Sequence, residues 1–148
     1  MDQKDLLNSI TDPIVKLLLR SPLYKLADKN IVLIIYTGRK TGATHSEAVN
    51  YVKEGKTLHI ICERNRTWWC NLRGGAAVKI ILESKQYSGW ADLKEDQDSV
   101  LVELRKIFSA NPQNFHLANV RMDQNGKPDE SDLSAVAKNR VAIVITYS

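Results

Sequence analysis

Cysteine is scarce in this chain: Cys62 and Cys70 are the two among 148 residues. They form no Cys-x-x-Cys pair, and two thiols so placed make no disulfide framework. No apolar run approaches the roughly 20 residues that a membrane-spanning helix needs. The opening residues Asp2, Gln3, Lys4 and Asp5 lack the basic-then-apolar order of a secretory signal, so a cytoplasmic location with free thiols is the expectation. Neither sign of charge dominates, with 21 Lys and Arg against 17 Asp and Glu. No dense basic run suggests a nucleic-acid arm, and no nucleic-acid partner is expected. Internal repeats and low-complexity linkers are also missing.

Familiar catalytic signatures are absent too. His45, His59 and His116 are scattered without ligand spacing, so no metal site is expected. His59 sits in an apolar strand run and reads as structural. No Gly-x-Ser-x-Gly occurs. Glu95, Asp96 and Asp98 read as the acidic start of a helix, where they favour its dipole. No catalytic side chain is nominated. When side chains offer no acid-base or nucleophilic machine, a cofactor can carry the chemistry while the protein orients it.

What is present fits one globular domain, with 43% apolar and 26% charged residues. Pro13, behind Thr11 and Asp12, opens a helix in the segment 1–28. Residues 31–36 are apolar and β-branched and predict a buried strand. Further strands are expected at about 45–52 and 57–62, joined by a tight turn at Gly55 into an antiparallel hairpin. A short helix stopped by glycine follows at 65–75, then strands at 78–82 and 87–93. The period of Val100, Leu101, Leu104, Ile107 and Phe108 predicts a helix over 95–110, halted by Pro112. A strand through Phe115, Leu117 and Val120, a turn at 123–128, a helix at 129–138 and a strand at 141–146 complete the chain. The sum is a mostly antiparallel sheet with appended helices, closed as a small barrel.

Two segments could bind a ligand. In Thr37-Gly38-Arg39-Lys40-Thr41-Gly42, glycines let backbone amides converge on an anion while Arg39 and Lys40 supply charge. The same residues also read as a plain basic hairpin turn. Trp68-Trp69-Cys70-Asn71-Leu72-Arg73 offers aromatic surface. Adjacent tryptophans on a helix diverge by about 100°, so one can lie in the core and the other on a cleft, with plain core packing of either as the alternative reading.

Four motifs occur in order: Arg20-Ser21-Pro22-Leu23-Tyr24, Tyr36 to Gly42, Val49-Asn50-Tyr51-Val52 and Arg66 to Gly75. Together they resemble the deazaflavin-dependent nitroreductase family of deazaflavin/flavin oxidoreductases. The resemblance covers residues 13–83 and the last strand. It implies an α+β fold, the FMN-binding split β-barrel of pyridoxamine-phosphate-oxidase-like proteins, with mainly antiparallel strands and flanking helices. One domain would span 1–148, with a helical segment at 1–28 and the barrel with its inserted helices at 31–148. The implied cofactor is coenzyme F-420, a deazaflavin, or FMN. Its reduced form would pass a hydride to a quinone, nitro compound or enone. The phosphate maps onto Arg39, Lys40 and Thr41, and the ring onto Ala48, Val49 and Asn50. Arg64, Trp68 and Asn71 map onto the enclosing wall. A homodimer is implied as well.

Ala48 stands where many members carry proline, and 115–121 shows no match to their substrate-lining tyrosine segment. The acceptor therefore does not transfer. The alternative is a non-catalytic flavin, tetrapyrrole or lipid binder on the same barrel. The apolar face of 6–18 could also contact a membrane surface, although packing on the barrel is favoured.

Overall fold

The computed structural model describes residues 31–110 and 120–148. The expected helical segment at 1–28 and most of the expected strand at 115–120 lie outside them. Seven strands form one sheet: β1 (Ile31–Thr37), β2 (Thr44–Asn50), β3 (Val52–Glu54), β4 (Thr57–Glu63), β5 (Ala76–Leu82), β6 (Lys85–Lys94) and β7 (Arg140–Tyr147). Their order is β2-β1-β5-β6-β7-β4-β3, antiparallel throughout. A 3-10 helix spans Thr67–Leu72, and two α-helices follow, α1 (Gln97–Ala110) and α2 (Glu130–Lys138). The sheet curls into a half-barrel flanked by α1 and α2, in agreement with the expected split barrel.

β1 is central because its sequence leaves it no alternative. Val32 to Tyr36 are all buried, so both faces must be covered and both edges paired, which β2 and β5 do. Val32, Ile34 and Tyr36 point into the barrel core beside Leu58, Ile60, Leu72, Ile80, Ile143 and Ile145. Each such side chain, fully buried, contributes about 1.5–3 kcal/mol relative to exposure.

The single strand expected at 45–52 is two strands. β2 pairs with β1, while β3 pairs with β4 at the opposite edge of the sheet. Tyr51 alone joins them. Two edges linked through one residue must lie together in space, so the sheet has to curl, and β2 packs against β4. The expected hairpin at Gly55 is present, with Glu54 opposite Thr57 and Gly55 at φ +60°. The turn between β5 and β6 is tighter than 83–86. Leu82 pairs with Lys85, and Glu83 and Ser84 take φ values of 49° and 68°. Positive φ at both central residues is what a two-residue hairpin requires.

α1 buries Val100, Leu104, Ile107 and Phe108 against Val120, Leu133, Ala137 and Ala142, forming a second core on the outer face of the sheet. It starts where the Asp96 carboxylate accepts from Ser99 N at 2.9 Å. α2 starts where the Asp129 carboxylate accepts from Asp132 N at 2.9 Å. The ion pairs Arg105–Glu130 (2.7 Å) and Arg121–Asp132 (2.9 Å) tie α2 to α1 and to the chain before it.

Hydrogen bonds from Arg121 and from Arg105 hold the carboxyls of Asp132 and Glu130, respectively, below their usual range. A carboxyl depressed in the folded state adds stability above its unfolded value and loses it as pH falls through the folded value. The melting temperature should therefore drop as pH falls from 7 to below about 4. Asp132→Asn should show a smaller drop than wild type, as measured by thermal melts at both pH values.

Candidate functional site

The loop between β1 and β2 is built tightly. Gly38 N donates to Ala43 O and Gly42 N to Gly38 O, both at 2.8 Å, and Ala43 N donates to Thr41 Oγ1 at 3.2 Å. Gly42 takes φ +70° with open space where a Cβ would point. At Gly38 a Cβ would lie 3.0 Å from the His45 ring and 3.2 Å from Thr41 Oγ1, so a larger residue would require those side chains to give by a few tenths of an ångström. Several amides are thus spent inside the loop. The groups left facing outward are the Lys40 ammonium, which has no partner among the described residues, and the Thr41 hydroxyl proton.

The 3-10 helix holds the loop in place. Arg39 N donates to Asn71 Oδ1 at 3.0 Å, and Asn71 Nδ2 donates to Trp68 O at 2.8 Å. The Arg39 guanidinium donates to the Arg73 carbonyl. Asn71 therefore docks loop to helix with both ends of its amide. Trp68 lies against Tyr36, with ring centroids 5.5 Å apart, and Tyr36 lies against His45 at 5.6 Å. Burial, and then Glu47, raise the Tyr36 phenol above its ordinary range, so it stays protonated.

Of the two readings of the tryptophans, core packing holds for both: Trp68 is 8% exposed and Trp69 4%. Both join the barrel core, because the 3-10 turn lies flat on the sheet with each ring covered. Trp69 Nε1 donates to Arg64 O at 3.2 Å, whereas the buried Trp68 Nε1 has no partner among the described residues. Arg64 sits away from the loop. Its guanidinium donates to the Glu95 and Arg140 carbonyls, the latter at 3.0 Å, which fastens the helix entry to the ends of β6 and β7.

β2 runs from this loop to a cavity of about 440 Å³. Ala48, Val49 and Asn50 form one wall, β3 and β4 another, and α1 and α2 a third. The volume suits a small ring compound. Arg140, Glu63 and Arg66, which pairs with Glu47 at 3.4 Å, bring charge to the cavity, and Tyr51, His59 and Cys62 also line it. These residues were not singled out from sequence. The usable signal was β4's alternation, which sends Leu58 and Ile60 into the barrel and His59 and Ile61 to the outer face. Burial pushes the Cys62 thiol up to about 12, so it is no nucleophile at neutral pH. Among the described residues no three His, Cys, Asp or Glu side chains converge as a metal site, and no helix is long and apolar enough to cross a membrane.

A basic loop, an aromatic support and a ring-sized cavity on a curled antiparallel sheet define a flavin-type split-barrel protein. A family model described as F420H(2)-dependent quinone reductase matches residues 21–125. The chain belongs to that family, and its activity class is deazaflavin-dependent oxidoreduction.

Solved structures agree on the fold. One is an F420-H2 dependent reductase, at 17% identity and TM-score 0.52, covering 79% of this chain and 95% of that one. Another is a candidate pyridoxamine 5'-phosphate oxidase from Listeria innocua, at 14% identity and TM-score 0.50, covering 85% and 90%. A third, described as a domain-swapped dimer, has 15% identity and TM-score 0.52, covering 80% and 81%. No curated protein sequence matches the chain.

Two outcomes follow. Asn71→Ala leaves Arg39 N without its acceptor and should cost about 1–2 kcal/mol in urea unfolding, with faster hydrogen exchange at that amide. In the native protein at pH 8, Cys62 should resist a thiol reagent that labels it promptly in denaturant.

Proposed function

We propose that this chain oxidises reduced coenzyme F-420 with a quinone or similar conjugated acceptor. The cofactor phosphate would rest on Arg39, Lys40 and Thr41, and its ring would lie in the cavity beside Ala48, Val49 and Asn50. The observation that carries the reading is β2 itself. It joins the unpartnered Lys40 loop to the cavity. Four residues from Thr44 to Ala48 rise about 13 Å at ~3.3 Å each, a length that suits a ribityl chain with part of a three-ring system.

The residues present fit the group. Lys40 offers an uncompensated positive charge, Thr41 a hydroxyl, and Gly38 a turn closely packed on His45 and Thr41. When bound, the cofactor supplies the hydride. The protein's share is binding, orientation and shielding from water. Arg39 is aimed by Asn71 and the Arg73 carbonyl. Trp68 braces the loop through Tyr36. Arg64 keeps its role one step away, holding the strand ends that frame the helix. FMN has the same phosphate and ring spacing and is the competing ligand. Pairing as a homodimer, a cytoplasmic location and a single domain over 1–148 complete the proposal.

Fluorescence titration with oxidised F-420 and with FMN tests it. Micromolar or tighter F-420 binding is expected, weakened more than tenfold in the double variant Arg39→Ala/Lys40→Ala, because charge-assisted phosphate contacts contribute more than ~1.4 kcal/mol. Unchanged affinity would place the phosphate elsewhere.

A further inference from the structure

The cavity contains a charged device that binding and orientation do not use. His59, 6% exposed, and Glu103, 4% exposed, are the buried polar residues of the described chain. His59 Nδ1 lies 2.7 Å from Glu103 Oε2, and His59 Nε2 lies 3.3 Å from Glu54 Oε2. The Glu54 side chain is 78% exposed. A carboxylate–imidazole–carboxylate chain thus runs from the second core, along the cavity wall, to solvent. A buried imidazole–carboxyl contact is a costly way to dock a helix on a sheet, since burying polar groups is less favourable than burying apolar residues of similar volume. The pair is also oriented. A proton held on Nδ1 donates to the Glu103 carboxyl, which leaves Nε2 as the exchangeable position, and the exposed Glu54 side chain covers that position from outside.

We propose that His59 delivers the proton that completes reduction of the acceptor, with Glu103 setting its tautomer and Glu54 reconnecting it to water. The inference rests on the reading of the cavity as the ring site, and adds that the acceptor meets the ring on the His59 side. A quinone becoming a hydroquinone needs two electrons and two hydrogens. The hydride from the reduced cofactor brings both electrons and one hydrogen. The Nε2 proton of His59 adds to the remaining quinone oxygen, whose negative charge it neutralises. His59 is left neutral and regains a proton from water past Glu54, and the proton that the cofactor loses on oxidation leaves to solvent. Other ionisable groups face this centre. Lys106 Nζ lies 3.6 Å from Glu103 Oε1, and Tyr51, Cys62, Glu63, Arg66 and Arg140 line the cavity. The pH profile therefore has to be read as a difference between variants.

The test compares two acceptors in the full-length protein loaded with reduced F-420. Menadione needs hydride and proton, whereas methylene blue, a cationic dye, takes hydride alone. His59→Gln should lower kcat with menadione at least tenfold, as loss of a general acid does. It should also flatten the alkaline fall of that rate and lower methylene blue turnover far less than menadione turnover. Glu54→Gln, a surface change that spares the core, should slow menadione and not the dye. Independently of turnover, menadione added to the cofactor-free protein should shift the ring nitrogen signals of His59 in an NMR spectrum. Equal losses with both acceptors, an unchanged menadione rate and profile, or silent His59 signals would each overturn the relay while leaving the cofactor site standing. A wild-type protein that binds no F-420 would remove the functional reading, and the relay with it.

Discussion

Tyr51 is the residue on which the architecture turns. It stands alone between β2 and β3, which occupy opposite edges of the same sheet. A flat sheet of this order would need a long connection to cross from one edge to the other, and one residue can span only about 3.5 Å. The sheet must therefore curl until its edges meet at Tyr51. Closure puts the end of β2 beside β4, and the space left between them and the two helices is the cavity. Without that constraint, the Ala48–Asn50 wall and the His59 wall would lie at opposite ends of the molecule.

Closure alone does not make a binding site, because a six-residue loop at a barrel rim would sample many shapes. The 3-10 helix removes that freedom. Asn71 holds the loop at Arg39 N, the Arg73 carbonyl holds the Arg39 side chain, and Trp68 supports the strand end through Tyr36. The tryptophans give rigidity by being buried, so their contribution to a ligand is indirect. Arg64 works in the same manner, by fixing backbone carbonyls of β6 and β7.

Much of this was legible in the sequence, and the limits have physical reasons. Residues 31–36 read as a central strand because a β-branched apolar run leaves few other solutions, and α1 read as a helix because its period is regular. The glycine turn at 37–42 and its order before Val49-Asn50 and the Trp68 helix were enough to indicate the family. The break at Tyr51 was illegible, since nothing local in 45–52 reveals that its two halves pair with different partners. For the same reason the sequence left core packing and a cleft position open for the two tryptophans, and both turn out buried: helical spacing says nothing about what lies above each ring. His59 read as structural because it lies in an apolar strand run; its contact with Glu103, 44 positions away, is one that only tertiary folding creates.

The central claim is that β2 spans one ligand, with the phosphate at the Lys40 loop and the ring at the Ala48–Asn50 end. A crystal structure of the complex with oxidised F-420 tests this most directly. The account predicts the phosphate within hydrogen-bonding distance of Lys40 Nζ and Thr41 Oγ1, and the ring against Ala48. A phosphate seated instead on Arg66 and Arg140 inside the cavity, with the loop empty, would contradict it.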